Sequence, residues 1–249
     1  MLHRPARDSR KGDNGRLLIV GGSRDYHGAP VFSLFAARRF VDLLYFLPGE
    51  KDDFLINAVK RIPEVIVVDS YESGAIRGKL DCILFGIGLS DAKIPLPKPE
   101  TGGWKLVIDG DGLKRIRGNI PEGSVLTPHE NEFRTLFGME GSEKNVLAMA
   151  KKHRCVILKK GPVDIIADGR PETGNGKLET NRIHNPGMTK GGTGDVLAGL
   201  LAALACKNDA FEAAVAAARM NGKAGNALMK RFGYNYCASD LADALAGTK

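Results

Sequence analysis

No apolar run in this 249-residue chain is long enough to cross a bilayer. The longest, such as Val196–Ala205, contain glycine and stop well short of the roughly 20 residues that a span needs. The opening residues, Met-Leu-His-Arg-Pro-Ala-Arg-Asp-Ser-Arg-Lys, have no apolar core, which argues against a secretory signal. Cysteine is scarce. Cys82, Cys155, Cys206 and Cys237 are far apart, so no pair has metal-ligand spacing, and three sit in apolar settings. That usage points to buried reduced thiols and a cytoplasmic setting. There is no Walker-type Gly-x-x-x-x-Gly-Lys-Ser/Thr, no Gly-x-Ser-x-Gly elbow, no zinc motif and no Gly-x-Gly-x-x-Gly fingerprint. These absences exclude a P-loop NTPase, an α/β-hydrolase, a zinc site of known spacing and an ordinary dinucleotide fold. The net charge is +7, but its densest groups (Arg4–Lys11, Lys114–Arg117, Lys151–Arg154, Lys159–Lys160) carry no interleaved aromatics. They read as solvated surface or as a basic cleft for small phosphorylated molecules, with no nucleic acid and no membrane as partner.

What is present is an alternation of short apolar runs with helical patterns. Arg16–Val20, Val41–Phe46, Val65–Val68, Asp81–Phe85, Lys105–Ile108 and Ser124–Leu126 have strand length, and several lack polar alternation. Strands of that kind are buried on both faces, as in a parallel sheet covered by helices. Helices are expected over Ala29–Phe40, Asp53–Arg61, Glu130–Phe137 and Glu143–Lys152. Cys155–Leu158, Val163–Ala167 and Lys177–Ile183 read as strands of a local meander, and Gly192–Cys206, Ala210–Arg231 and Ser239–Ala246 as helices. The order predicts an α/β protein, a three-layer α/β/α sandwich with a mostly parallel sheet. No linker composition, repeat or low-complexity tract appears. Residues 93–103 are read as a loop inside a single domain spanning 1–249.

The strongest functional signal is Asn185-Pro186-Gly187-Met188-Thr189-Lys190-Gly191-Gly192-Thr193-Gly194-Asp195, running straight into an apolar helix. Glycines admit backbone conformations closed to other residues, and the free N–H groups of a helix's first turn attract anions. A carboxylate placed in such a cradle repels phosphate and so needs a purpose. Taking a proton from a substrate hydroxyl, while the amides of Gly192, Thr193 and Gly194 hold the transferring phosphoryl group, is that purpose. Close helix packing is the plainer alternative.

Other loops fall at strand ends, where such folds place ligands. Lys11–Arg16 with Gly21–Pro30, and Phe85-Gly86-Ile87-Gly88-Leu89-Ser90, either approach a ligand or simply turn. Asp109 and Asp111 either orient Mg²⁺ or a polar substrate, or build a tight corner. Thr127 or His129 caps a helix whose first turn holds Glu130 and Glu132, and His129 faces the ligand side. Leu158-Lys159-Lys160-Gly161-Pro162-Val163-Asp164 is either a nucleotide-holding turn or an ordinary hairpin.

Together, Lys11-Gly12-Asp13, Gly21-Gly22-Ser23, Tyr26-His27-Gly28-Ala29-Pro30, Leu126-Thr127-Pro128-His129, Glu132-Phe133, Lys160-Gly161 and the Asn185–Asp195 segment resemble the nucleotide-dependent NAD(P)H-hydrate dehydratases of the ribokinase-like superfamily. The resemblance covers nearly the whole chain. It implies a lyase that uses ADP or ATP to phosphorylate the ring hydroxyl of (6S)-hydrated NADH or NADPH, after which phosphate leaves and the double bond returns. It implies Asp195 as the catalytic aspartate, with Ala29, Gly88, His129 and Asp195 against the hydrated dinucleotide. Lys160, Gly161, Pro162, Val163, Asp164 and Gly194 would lie against the adenine nucleotide, and Mg²⁺ would bridge its phosphates. It also implies a homo-oligomer, such as a tetramer; many relatives carry a fused epimerase domain, which a 249-residue chain is expected to be too short to contain. The chain departs from the family's usual pattern at Ile183-His184, Thr189-Lys190, Ser90 and Asp164; Lys190 either reaches a phosphate or points to water. A superfamily kinase of a small alcohol, such as a thiamine precursor, would share Asp195 but leave a stable phosphorylated product. A non-catalytic dinucleotide or nucleic-acid binder is the reading from another class.

Overall fold

The computed structural model describes residues 2–76, 78–97 and 103–248. Its strands are β1 (Arg16–Gly21), β2 (Leu43–Pro48), β3 (Val65–Val67), β4 (Cys82–Ile87), β5 (Lys105–Ile108), β6 (Val125–Leu126), β7 (Val156–Lys159), β8 (Asp164–Asp168) and β9 (Lys177–Asn181). Among the described residues they form one sheet in the order β3-β2-β1-β4-β5-β6-β7-β8-β9. Pairing from β3 across to β7 is parallel, and β8 and β9 add an antiparallel meander. The helices are α1 (Gly28–Ala37), α2 (Asp53–Lys60), α3 (Asp111–Arg115), α4 (Glu130–Phe137), α5 (Glu143–His153), α6 (Thr193–Ala205), α7 (Ala210–Phe232) and α8 (Ala238–Ala244).

The uninterrupted apolar strands have the physical reason expected of them. Leu17 and Ile19 of β1 pack into one core with α1, α2, α6, α7 and α8. Leu18 and Val20 pack into a second core with Leu113, Phe133, Val146 and Ala150 from α3, α4 and α5. Both faces of the sheet are therefore buried, and the three-layer sandwich follows. No described helix is long and apolar enough to cross a membrane. All four cysteines are free; Cys82, Cys155 and Cys206 are buried and Cys237 is exposed.

The elements differ from the sequence reading mainly at their ends. The strand expected to reach Ile183 stops at Asn181, whose amide turns inward to the Asp164 carboxylate and the Ala218 carbonyl. Helix α3 replaces the plain corner expected after β5, because five residues are too few to display a helical period. The loop expected over 93–103 lies partly outside the described residues.

Two features place the site. The chain adds β2 and β3 on one side of β1, then crosses back to lay β4 on the other. That reversal opens a crevice at the carboxyl ends of β1 and β4. The amino end of α6 is held over the carboxyl ends by its packing on α1. Ser33 of α1 donates to the Asp195 carbonyl at 2.8 Å. One turn further on, a Cβ at Gly199 would run into the backbone of Ser33. Gly199→Ala should therefore force the helices apart and cost about 2–3 kcal/mol. Urea unfolding with an unchanged slope and a lowered midpoint would show it; an unchanged midpoint would mean that α1 and α6 are not locked at this contact.

Candidate active site

The carboxyl end of β5 continues into Asp109, which is 2% exposed. Two strands along the sheet, β7 runs into Lys160, whose amide donates to the Pro128 carbonyl at 2.8 Å. That bond ties the loop after β7 to the loop after β6, where His129 and Lys160 form a parallel bridge. Lys160 Nζ meets Asp109 Oδ1 at 2.6 Å, with 17% and 3% of the two side chains exposed. A Cβ at Gly194 would lie 3.5 Å from the same Nζ, so the ammonium stands at the mouth of α6.

Helix α6 begins as an anion site should. Its N-cap is Gly192 at φ 92°, with no side chain closing the helix end. A Cβ there would overlap the Phe32 ring, so both conformation and space call for glycine. The amides of Gly194 and Asp195 precede the first intrahelical acceptor and remain available. Thr193 is different. Its amide donates to the Lys190 carbonyl at 3.3 Å, and its hydroxyl donates to the carbonyls of Met188 and Lys190. Of the three amides expected to hold an anion, that of Thr193 is turned to building the loop.

Asp195 sits in the first turn of α6, half-buried. Its carboxyl is raised to about 7: burial pushes it up most, the Asp109 charge adds to that, Lys160 opposes both, and Glu132 adds a smaller push upward. Burial alone would lower the Lys160 ammonium, but the Asp109 and Glu132 carboxylates outweigh that and hold it above its ordinary range. Glu132 is itself raised by burial, with Lys160 opposing. One cation thus serves three carboxylates. A base near neutrality beside a fixed cation is the combination that suits proton removal next to an anionic group.

His129, not Thr127, caps α4. Its Nδ1 accepts from the amides of Asn131 and Glu132, and Glu132 Oε2 accepts from the His129 amide at 2.8 Å. This capping box leaves the imidazole exposed while holding Glu132 toward Lys160. At the β1–β4 crevice, a Cβ on Gly88 would stand 3.0 Å from that of Ala29, so these two expected substrate contacts are neighbours. The turn 161–164 bends around Asp164, whose carboxylate accepts from the Gly161 amide at 3.1 Å and from Asn181 Nδ2 at 2.9 Å. Pro162 is exposed and Gly161 and Val163 are half-buried at the turn's surface. Asp164 shapes this turn from inside.

Three expectations are corrected. Lys190 neither reaches a phosphate nor points to water. Its Nζ donates to the carbonyls of Tyr234 and Tyr236 at 2.6 Å each. Tyr236 in turn donates its hydroxyl to Asn185 Oδ1 at 2.7 Å, which also accepts from the Gly187 amide. The segment before α8 therefore clamps the glycine loop, a long-range tie that local sequence does not announce. Lys11–Arg16 is also not at this site. It precedes β1 and lies at the opposite end of the sheet, where Asp42 accepts from the amides of Gly12 and Asn14. Asp109 and Asp111 do not form a metal pair: Asp111 accepts from the Ser90 amide and pairs with Lys114. Among the described residues no three His, Cys, Asp or Glu side chains converge as a metal cage. Asp109 and Glu132 are the site residues to which the sequence reading assigned no definite role; the position of Asp109, just past a buried strand, was the available signal.

A model of the NAD(P)H-hydrate dehydratase family matches residues 17–246. The chain is 37% identical over 265 residues to an ADP-dependent (S)-NAD(P)H-hydrate dehydratase of Cenarchaeum symbiosum, covering 96% of this chain and 90% of that protein. It is 36% identical to a bifunctional NAD(P)H-hydrate repair enzyme of Pyrobaculum aerophilum, covering 96% of this chain but 51% of that protein. The chain thus spans about half the length of that bifunctional relative. A ribokinase-like superfamily protein from Enterococcus faecalis superposes with a TM-score of 0.82 at 26% identity, over 99% of this chain and 90% of that one. An ADP/ATP-dependent NAD(P)H-hydrate dehydratase from Bacillus subtilis, co-crystallised with ATP and Mg²⁺, has a TM-score of 0.80 at 22% identity, over 98% and 92% of the two chains, and shares the fold.

The raised carboxyl of Asp195 has a consequence for stability. The folded protein binds this proton more tightly than the unfolded chain, in which the group titrates near 4. Ionisation therefore costs stability increasingly as pH rises from about 4 to about 7, and fully above that. Asp195→Asn should stabilise the protein by about 1–3 kcal/mol at pH 8, with the gain vanishing by about pH 4. Thermal unfolding at the two pH values measures it, and a variant less stable at pH 8 would contradict the assigned burial.

Proposed function

The chain belongs to the NAD(P)H-hydrate dehydratase family, and on that premise we propose that it uses ADP or ATP to dehydrate (6S)-hydrated NADH or NADPH at the mouth of α6. The observation that carries this reading is Asp195, raised to about 7 at a helix start whose free amides and neighbouring lysine suit a phosphoryl group. The substrate's ring hydroxyl lies against Asp195, bounded by Ala29, Gly88 and His129. The adenine nucleotide lies along the turn Lys160–Asp164, with its terminal phosphate on the amides of Gly194 and Asp195.

The chemistry then follows in two steps. Asp195 takes the hydroxyl proton as the oxygen attacks the terminal phosphorus. The bond from that phosphorus to the leaving nucleotide oxygen breaks, releasing ADP from ATP or AMP from ADP. Lys160 and the helix amides offset the charge on the equatorial oxygens, which is the main demand of phosphoryl transfer. In the second step the ring nitrogen's lone pair expels phosphate. Loss of a proton from the adjacent ring carbon restores the double bond and yields reduced dinucleotide plus orthophosphate. Hydroxide is a poor leaving group and phosphate a good one, so the first step carries the burden and positioning is the protein's share.

Mg²⁺ fits this donor set as an ion carried in by the nucleotide and keeping most of its water, since the described residues form no three-ligand cage. Glu132, whose charge is felt at both Asp195 and Lys160, would hold that water, and the ion would neutralise phosphate charge when bound. Assembly as a homo-oligomer and residence in the cytoplasm are part of the same proposal.

The test is to supply hydrated NADH with Mg²⁺ and either ADP or ATP. Recovery of the reduced-nicotinamide absorbance with release of orthophosphate is the expected result. A stable phosphorylated alcohol instead would favour the superfamily-kinase reading. Asp195→Asn should lower turnover at least about 10³-fold while nucleotide binding persists; near-normal turnover would remove Asp195 from its role. The kcat/KM profile of the wild type should lose activity as pH falls through about 7, because the protonated carboxyl cannot act as a base. Asp109→Asn removes a repelling charge and frees Lys160 to favour ionised Asp195. Both effects move the acid limb to lower pH, and an unmoved or raised limb would break the proposed coupling.

A further inference from the structure

Two thiols that the reaction does not use meet at the end of the sheet opposite the active site. Cys82 opens β4, and Cys206 follows the last turn of α6. Cys82 is fully buried, Cys206 is 4% exposed, and both belong to the core under α6. We propose that Cys82 and Cys206 close into a disulfide as the chain folds, stapling the far end of α6 to the sheet.

Separate contacts bring the two residues together. β1 lies beside β4, with Leu17 opposite Cys82. Gly15, just before β1, is so near Cys206 that a Cβ built on it would lie 3.1 Å from that of the cysteine. The chain neighbours of the pair are joined as well: Lys207 Nζ meets Asp81 Oδ1 at 2.8 Å. The thiols themselves are in contact, as hydrogen-bond partners. Neither of the other cysteines competes. Cys155 is buried in the core on the opposite face of the sheet. Cys237 is exposed before α8, where its thiol donates to Asp240.

The structure shows the dithiol, and closing it needs an oxidant. A low-molecular-weight disulfide serves. One cysteine thiolate attacks a sulfur of that disulfide, forming a mixed disulfide and expelling one small thiol. The other cysteine attacks the mixed disulfide at the protein sulfur and expels the second. Two protein S–H bonds are lost, one S–S bond is gained, and both protons end on the small thiols. Burial sets the timing. The Cys82 thiol and the apolar core hold the Cys206 thiol well above its ordinary range, so the folded protein offers almost no thiolate there. Closure therefore belongs to folding, before the core is sealed. Afterwards the same burial keeps reducing thiols away from the bond.

The bond completes the holding of α6. Ser33 places the first turn of the helix, and the disulfide places its last. The loop that it closes, of about 125 residues, contains Gly88, Asp109, His129, Lys160 and Asp195. Cross-linking so long a loop removes much freedom from the unfolded chain and so favours the folded one.

The experiment refolds the reduced, unfolded full chain in a buffer of reduced and oxidised glutathione. The product is unfolded again and treated with a maleimide, and adducts are counted by intact mass. Two adducts, mapped to Cys155 and Cys237, are expected, with a Cys82–Cys206 peptide that only a reductant separates. The same chain refolded in excess dithiothreitol should carry four adducts and melt about 10 °C lower. Cys82→Ala and Cys206→Ala should each abolish that dependence of melting on the redox buffer. The two wild-type forms are compared without any substitution, so a variant that fails to fold leaves the test standing. Four adducts from the glutathione buffer, a bond between any other pair, or a melting temperature not raised by closure would overturn the proposal. Turnover enters none of these measurements, so their outcome is separate from that of the dehydratase reading.

Discussion

One ammonium group organises the chemistry of this protein. Lys160 reaches the carboxylate of Asp109 from a strand two places along the sheet, and it stands beside the first turn of α6. Burying a lysine without a partner is unfavourable, and burying three carboxylates around no cation would be worse. Each charge is tolerable because the others are there. Asp109 keeps the lysine charged and in place. The lysine leaves Asp195 able to ionise near neutrality in a setting that would otherwise hold its proton more firmly. A free cation at that distance from the helix mouth would serve an incoming phosphate, whereas a fully neutralised one would not. Asp109 therefore acts as a counter-charge that a phosphate can supplement.

The fold brings these groups together by arranging strand ends. Asp109, His129 and Lys160 each follow a parallel strand, so the common direction of β5, β6 and β7 delivers all three to one edge. Asp195 arrives differently, on a helix that must be pinned over that edge. The contact of Gly199 with Ser33 and the hydrogen bond from Ser33 to the Asp195 carbonyl set its position. The glycine loop before α6 is closed by the chain itself: Thr193 folds it inward, and Lys190, Tyr236 and Asn185 tie it to the segment before α8. Of the first-turn amides, this arrangement leaves those of Gly194 and Asp195 open to an anion.

Much of this could be read from the residues in order. Unbroken apolar strands imply burial on both faces, and small residues before a helix imply an anion site with Asp195 inside it. Those are local properties, set by the period of side chains along a strand and by the free amides of a first helical turn. What lay beyond reach was every feature depending on which loop neighbours which. Asp109 and Lys160 are 51 residues apart in sequence and 2.6 Å apart in space. Lys190 faces carbonyls more than forty residues further along. Lys11–Arg16 carried a familiar pattern but lies at the amino end of β1, away from the chemistry. The sequence by itself determined the layers, the helix start and the placing of a carboxylate, Asp195, in its first turn. Only the tertiary structure decided the charges around that carboxylate and the upward shift of its pKa, because charge acts through space and strand order is not written in any single segment.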